Sequence, residues 1–242
     1  MTGLHSESHW LAAGEAERWT RGKGSSMTNN RAAQFSIFTL CVLLLAGCGK
    51  KASDEIDYGA VKDSVYHNEY FGLNLALPSG WSVQGQEMRQ RVAAAGLKMA
   101  AGDDKTFRAV LKASEQQSVY LLMAFQHPPG SSVAFNPSII CVAERVRDVP
   151  GIVRGRDYLF HLKKLMESSQ VKLQFPKDIS TEKFNGIDFD VMHVSMTVGP
   201  STVQQKYYAT IMRGYALGFI VSFTTSEQES VLQKALEGVS FK

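Results

Sequence analysis

Apolar residues recur along the chain with two periods, and the alternating one comes first. Phe71-Gly72-Leu73-Asn74-Leu75-Ala76-Leu77 alternates large apolar with small or polar residues, the pattern of a strand with one buried face, and Pro78-Ser79-Gly80 ends it. Trp81 follows that turn and closes the edge of the core. Met88, Val92, Ala95 and Met99 are spaced by four, three and four, which predicts a helix over 85–101. The stretch from Phe107 to Ala113 fits neither period. Ser118 to Gln126 holds Tyr120, Leu121, Leu122, Met123 and Phe125, a strand buried on both faces, and Ile139 to Val146 is the next strand. Between them, His127-Pro128-Pro129-Gly130-Ser131-Ser132 must leave regular structure, because proline removes backbone donors and glycine breaks the pattern.

The second half is more regular. Val153 to Ser169 sets Leu159, Leu162, Leu165 and Met166 on one stripe against Lys163, Lys164 and Glu167, which predicts an amphipathic helix. Phe184-Asn185-Gly186-Ile187 places Asn-Gly between strand-like runs, a strong hairpin signal because both residues tolerate positive φ. Long strands are expected over Ile187–Val198, Val203–Met212 and Tyr215–Thr224. In the last, Tyr215, Leu217, Phe219, Val221 and Phe223 share one face while Ala216, Gly218 and Ser222 lie opposite, which fits a sheet covered by helices. Glu227 to Glu237 closes the pattern as a helix with Val231, Leu232, Ala235 and Leu236 apolar.

One apolar run is of a different kind. Phe35 to Gly47 is uncharged over 13 residues. As a helix it reaches roughly 20 Å, short of the roughly 30 Å hydrocarbon core of a bilayer. With Met27, Asn29, Asn30 and Arg31 before it and small residues behind, it reads as the h-region of a signal peptide. Leu45-Ala46-Gly47-Cys48 resembles a bacterial lipobox. That resemblance implies recognition of Leu45, Ala46 and Gly47 by a signal peptidase and diacylglycerol on the Cys48 thiol. Gly49 stands where an aspartate would favour inner-membrane retention, so the resemblance implies the outer membrane, facing the periplasm. Met27 is better placed than Met1 to start such a signal, and Arg21-Gly22-Lys23-Gly24 can be encoded by purine-rich codons, as a ribosome-binding site would be. The expected organisation is a non-translated or disordered extension over 1–26, a signal peptide over 27–47, a lipidated tether over 48–64, and one domain over 65–242.

Tyr66-x-x-x-Tyr70-Phe71-Gly72-Leu73 through Leu77-Pro78-Ser79-Gly80-Trp81, then Phe135-Asn136-Pro137-Ser138-Ile139, then three strands and a helix ending at Val239-Ser240-Phe241 together resemble the PsbP-like superfamily. The resemblance covers about residues 66–242. It implies an α/β fold of the α+β kind, an α/β/α sandwich around a mainly antiparallel sheet. It also implies a non-enzymatic binding or assembly-factor domain. No residue carries over a photosystem or metal role.

Charge and chemistry narrow the function. The chain carries 26 basic and 23 acidic residues, and removing residues 1–47 leaves 22 against 20, so nothing electrostatic points to nucleic acid. Cys141, in the run Ile139-Ile140-Cys141-Val142-Ala143, is then the one free thiol and reads as a buried small hydrophobe. The sequence contains no G-x-S-x-G, H-E-x-x-H, Walker or G-x-G-x-x-G pattern. His67, His127, His161 and His193 are too far apart for a local metal-ligand spacing, so no catalytic residue, metal or cofactor is assigned. Asp188, Asp190 and His193 form the sharpest cluster, but a strand points 188 and 190 to one face and 193 to the other. The His127–Ser138 loop is the best partner-contact surface by sequence. The expected function is a lipid-anchored envelope lipoprotein serving as a non-enzymatic binding or accessory module for a protein complex. Its partners are the membrane, through Cys48, and an envelope protein. The alternative is a lipid-anchored envelope hydrolase whose site assembles only in three dimensions, which would show a cavity joining Ser or Asp to His127, His161 or His193.

Overall fold

The computed structural model describes residues 56–242; Leu45, Ala46, Gly47 and Cys48 lie outside the described residues, as do the extension and signal segments. Strands β1 (Ala60–Lys62), β2 (Val65–Asn68) and β3 (Leu73–Ala76) lead through β4 (Ser82–Val83) into helices α1 (Gln86–Ala101) and α2 (Lys105–Glu115). Strands β5 (Ser118–Phe125) and β6 (Ser138–Arg145) precede helix α3 (Gly155–Glu167) and strands β7 (Leu173–Gln174) and β8 (Ser180–Phe184). Strands β9 (Ile187–Val198), β10 (Ser201–Met212) and β11 (Tyr215–Phe223), helix α4 (Ser226–Glu237) and strand β12 (Ser240–Phe241) complete an α+β architecture.

An eight-stranded antiparallel sheet runs in the order β4-β5-β6-β11-β10-β9-β7, with β8 also paired to β9. The expected hairpin joins β8 to β9: Asn185 and Gly186 take φ of 44° and 85°, and Phe184 pairs with Ile187 across a two-residue loop. A second two-residue turn, Arg213-Gly214, links β10 to β11 with both φ values positive. One extra residue near Leu121 shifts the register between β5 and β6. A smaller sheet of four strands, in the order β1-β2-β3-β12, packs with α4 on one face of the large sheet.

Side-chain size separates the two faces. Leu217, Phe219 and Val221 of β11 join Phe189, Val191, Tyr208 and Cys141 in the main core, against Tyr66, Leu73 and Leu75 of the small sheet and Leu232 and Leu236 of α4. On the other face, Leu159 of α3 meets Met192, Val194 and Ala209, while Leu97 of α1 and Phe107 and Leu111 of α2 cluster with Leu165. The expected layers are present, the small sheet sharing one outer layer with α4.

The structure refines the sequence reading in several details. Regular structure begins at Ala60, inside the stretch read as tether, because β1 pairs with β2 as the edge of the small sheet. Helix α1 turns Ala93 and Ala101 inward and leaves Ala95 and Met99 exposed, so the Met88/Val92/Ala95/Met99 stripe is not the buried one. Small residues on the true face let α1 lie close to its neighbours, which apolar counting underrates. Val231 of α4 is also exposed. The ambiguous 107–113 stretch is α2, held by Asp104, whose carboxylate accepts from the Phe107 N–H at 2.8 Å.

Gly155 brings the start of α3 against β10, since a Cβ there would run into the Ala209 carbonyl oxygen. Gly155→Ala is expected to cost about 1–3 kcal/mol as an overpacking change, read as a lower denaturant midpoint with unchanged slope. Wild-type stability in that variant would show that α3 is not seated through this contact.

Candidate functional site

A largely apolar opening lies between the helical layer and the sheet. Its cleft of about 340 Å³ is walled by Leu97 and Ala100 of α1, Phe107 and Leu111 of α2, Leu162 and Leu165 of α3, and Tyr120 and Tyr207 of the sheet. Met99, Met166 and Met196 also line it, and methionine's flexible thioether lets such a wall adapt. Gly96 stands on the lining of α1 with no atom within 4 Å of where a Cβ would be. The volume lies in the range of small-ligand pockets.

The polar groups of this lining are mostly satisfied by the protein. The Tyr207 hydroxyl donates to Gln205 Oε1 at 2.9 Å, and Gln205 Nε2 donates to Ser222 at 2.9 Å. Ser169 Oγ donates to the Ala100 carbonyl at 3.2 Å and accepts from the Val171 N–H at 3.1 Å. Burial raises the Tyr207 and Tyr120 hydroxyls above the ordinary tyrosine range. Tyr207, Gln205 and Ser169 are thus bonded within the protein and offer little to a polar ligand, whereas the Tyr120 hydroxyl has no such bond among the described residues.

Tyr120 also lines a neighbouring cleft of about 380 Å³, shared with Tyr58, Arg89, Glu115 and Ser118. There Arg89 Nη1 donates to the Leu121 carbonyl oxygen, and the guanidinium lies 5.7 Å from the Tyr58 ring centre. Arg89 Nε is buried with no hydrogen-bond partner, the one such side-chain atom among the described residues.

The cluster read from sequence separates as its strand spacing requires. Asp188 is exposed and pairs with Lys183 at 3.2 Å. Asp190 accepts from the Thr181 hydroxyl at 2.7 Å and the Arg156 N–H at 2.8 Å, so its carboxylate sits at the first turn of α3. Both line a polar cleft of about 530 Å³. His193 lies on the opposite face, in register with Lys206. In the 127–138 loop, the Asn136 side chain accepts from the His127 N–H at 2.9 Å and donates to the His127 carbonyl at 2.8 Å, which pins the loop at its base. Cys48 and the residues Leu45, Ala46 and Gly47 lie outside the described residues.

One cavity brings a serine near a histidine. Ser114, Glu144, Tyr158 and His161 line a space of about 230 Å³. Glu144 accepts from the Ser114 hydroxyl at 3.1 Å and from the Tyr158 hydroxyl at 2.8 Å, so the serine proton points to a carboxylate that also holds a tyrosine, not to the imidazole. Burial and Glu144 keep Tyr158 far above the usual tyrosine range. No group of three or more His, Cys, Asp or Glu placed to hold a metal occurs among the described residues.

His193 belongs to a polar seam under α4. Lys206, itself buried, pairs with Glu229 at 2.8 Å, while Gln233 accepts from the Tyr208 hydroxyl at 3.0 Å and donates to Glu182 at 3.1 Å. Burial lowers the His193 imidazole below 6.5, Lys177 and Lys206 lower it further, and Glu182 and Glu229 oppose them. The unfolded chain therefore takes up this proton first, and stability present above pH 6.5 is lost as pH falls toward the lowered folded value. His193→Gln should flatten that part of the unfolding-midpoint profile; an unaltered slope below pH 6.5 excludes His193 as its source.

No protein-family model matches the chain, and no curated protein matches it. Among solved structures, the chain is similar to the cyanobacterial PsbP of Synechocystis sp. PCC 6803, at 11% identity over 82% of this chain and 99% of that one, with a TM-score of 0.46. It is also similar to LpqN, a protein involved in cell envelope biogenesis of Mycobacterium tuberculosis, at 14% identity over 70% and 83% of the two chains, with a TM-score of 0.40. A Pseudomonas aeruginosa protein of unknown function, PA94, described as a putative regulator, is similar at 14% identity over 50% and 83%, with a TM-score of 0.38. At these identities the likeness concerns architecture alone.

Sequence reading missed the residues that shape the apolar cleft. Tyr120 and Tyr207 stand on strands separated in the chain by α3 and several turns, and only the sheet order brings them to one wall. The available signal was Gly96, a glycine inside a helical pattern, where alanine would be preferred by about 0.5–1 kcal/mol. Gly96→Ala is expected to stabilise the fold by that amount, measured by denaturant unfolding. A loss of stability would mean that the space beside Gly96 is not open.

Proposed function

We propose that this chain is a lipid-anchored bacterial envelope lipoprotein whose domain serves as a non-enzymatic binding or accessory module for an envelope protein complex. The observation that carries the reading is the coincidence of a 13-residue uncharged run, the pair Ala46-Gly47 and the thiol of Cys48 ahead of a polar tether. A lipidated cysteine ties the domain to the membrane, and more than one acyl chain makes the hold durable where one would be marginal. Gly49 directs the proposal to the outer membrane, facing the periplasm.

The domain supports the binding role through what its polar groups are doing. Asp190 caps α3, Glu144 holds two hydroxyls, and Lys206 is paired with Glu229, so each is engaged in holding the fold. The openings beside the helical layer remain free for a ligand or partner. The hydrolase alternative rests on the Ser114–His161 cavity, where Ser114 donates to Glu144, which also holds the Tyr158 hydroxyl, and not to the imidazole.

Cys48→Ser should abolish labelling by radioactive palmitate and release the protein from the membrane fraction, while the wild-type chain is labelled and sediments at outer-membrane density. An unlabelled wild-type protein overturns the anchored reading.

A further inference from the structure

The two clefts that meet at Tyr120 differ in chemistry, and they follow one face of α1. Arg89 precedes Gly96 by seven residues, two helical turns or about 10 Å, so both fall on the same side of the helix. The Gly96 end is apolar on every wall, and its polar groups other than Tyr120 are bonded within the protein. The Arg89 end holds a guanidinium whose Nε is buried and unpartnered, beside the Tyr120 side chain. A donor left so costs stability until an acceptor reaches it.

Charge favours an anion at that end. Helices α1, α2 and α3 carry nine basic against four acidic residues, whereas α4 on the far side carries one against three. Glu115 shares the polar cleft and balances Arg89 locally, but the layer above both clefts keeps its positive surplus.

We propose that the paired clefts bind a single-chain anionic amphiphile, a long-chain fatty acid, with its carboxylate at Arg89 and Tyr120 and its acyl chain in the cleft beside Gly96. The inference deepens the binding-module reading of the same surface, and it is read at Gly96 and Arg89, whereas the anchor is read at Cys48. The methionine walls accommodate a flexible chain, and each methylene buried should tighten binding roughly fourfold until the cleft is full.

The test uses the full chain carrying Cys48→Ser, free of detergent, titrated with hexadecanoate, hexadecanol and hexadecyltrimethylammonium. Hexadecanoate should bind saturably and more tightly than the cation of equal chain length. Gly96→Phe fills the apolar cleft and should weaken binding at least tenfold while the thermal midpoint holds; Gly96→Leu, a smaller filler, should give an intermediate loss. Arg89→Gln should weaken hexadecanoate severalfold and leave hexadecanol unchanged, a split that general loosening of the fold would not produce. Equal binding by wild type and Gly96→Phe, tighter binding of the cation, or equal losses for acid and alcohol in Arg89→Gln each overturn the proposal. Because both arms share the segment before residue 56, adsorption to that apolar run appears as binding that Gly96→Phe does not change, and so counts against it.

Discussion

The central strands must be buried on both faces at once, and the rest of the molecule is arranged to do it. Strands β9, β10 and β11 alternate side chains that point to opposite layers, so neither face can be left to water. The bulky face of β11, with Leu217, Phe219 and Val221, gathers the small sheet and α4 into a continuous core. The opposite face carries Ala216, Gly218 and Ser222 beside a single large residue, Ile220, and so fills less space between the sheet and its helices. Tyr120 and Tyr207 flank that part of the sheet, and the cleft opens where they meet the helical layer. One strand's division into large and small side chains thus determines where the protein is dense and where it is open.

That division was legible in sequence, as were the elements that depend only on neighbouring residues. The Asn185-Gly186 turn, the three long strands and the amphipathic α3 each carry a local signature: positive φ, alternation, or a stripe of leucines. What escaped had causes outside the local pattern. Helix α2 buries Phe107 and Leu111 and leaves Val110 exposed, and the 107–113 stretch spans only about two turns, too short a window for its period to register. Helix α1 buries Ala93 and Ala101 and leaves Met99 exposed, so counting large apolar residues misplaces its buried face. Strands β1 and β12 are short, and only pairing with β2 and β3 makes them strands. The cleft was illegible for a stronger reason: its walls come from elements distant in the chain, and no spacing rule connects them.

The polar interior shows how acids and hydroxyls can be abundant without converging. Asp190, Glu144 and the Lys206–Glu229 pair each satisfy donors that folding would otherwise strand at a helix end or in a layer boundary. Arg89 is the exception. Its guanidinium is half engaged, by Leu121 and the Tyr58 ring, with one nitrogen unanswered inside the protein. Because the other buried side-chain polar atoms among the described residues are satisfied, the unanswered one is informative.

The small sheet has a mechanical meaning as well. Its order places β1 at one edge and β12 at the other, with the Lys242 N–H donating to the Gly72 carbonyl at 2.9 Å. Tension arriving from before Ile56 meets anchors ahead of β1: Ile56 packs against the main core, Asp57 accepts from the Tyr70 N–H at 3.0 Å, and the Tyr58 carbonyl accepts from the Tyr66 hydroxyl at 3.0 Å. Those anchors tie residues 56–58 to β2 and the turn after it, so a pull is shared by the small sheet and does not fall on the exposed side chains of β1 alone. The first strand of the domain is thus bracketed by contacts that spread a load over the small sheet.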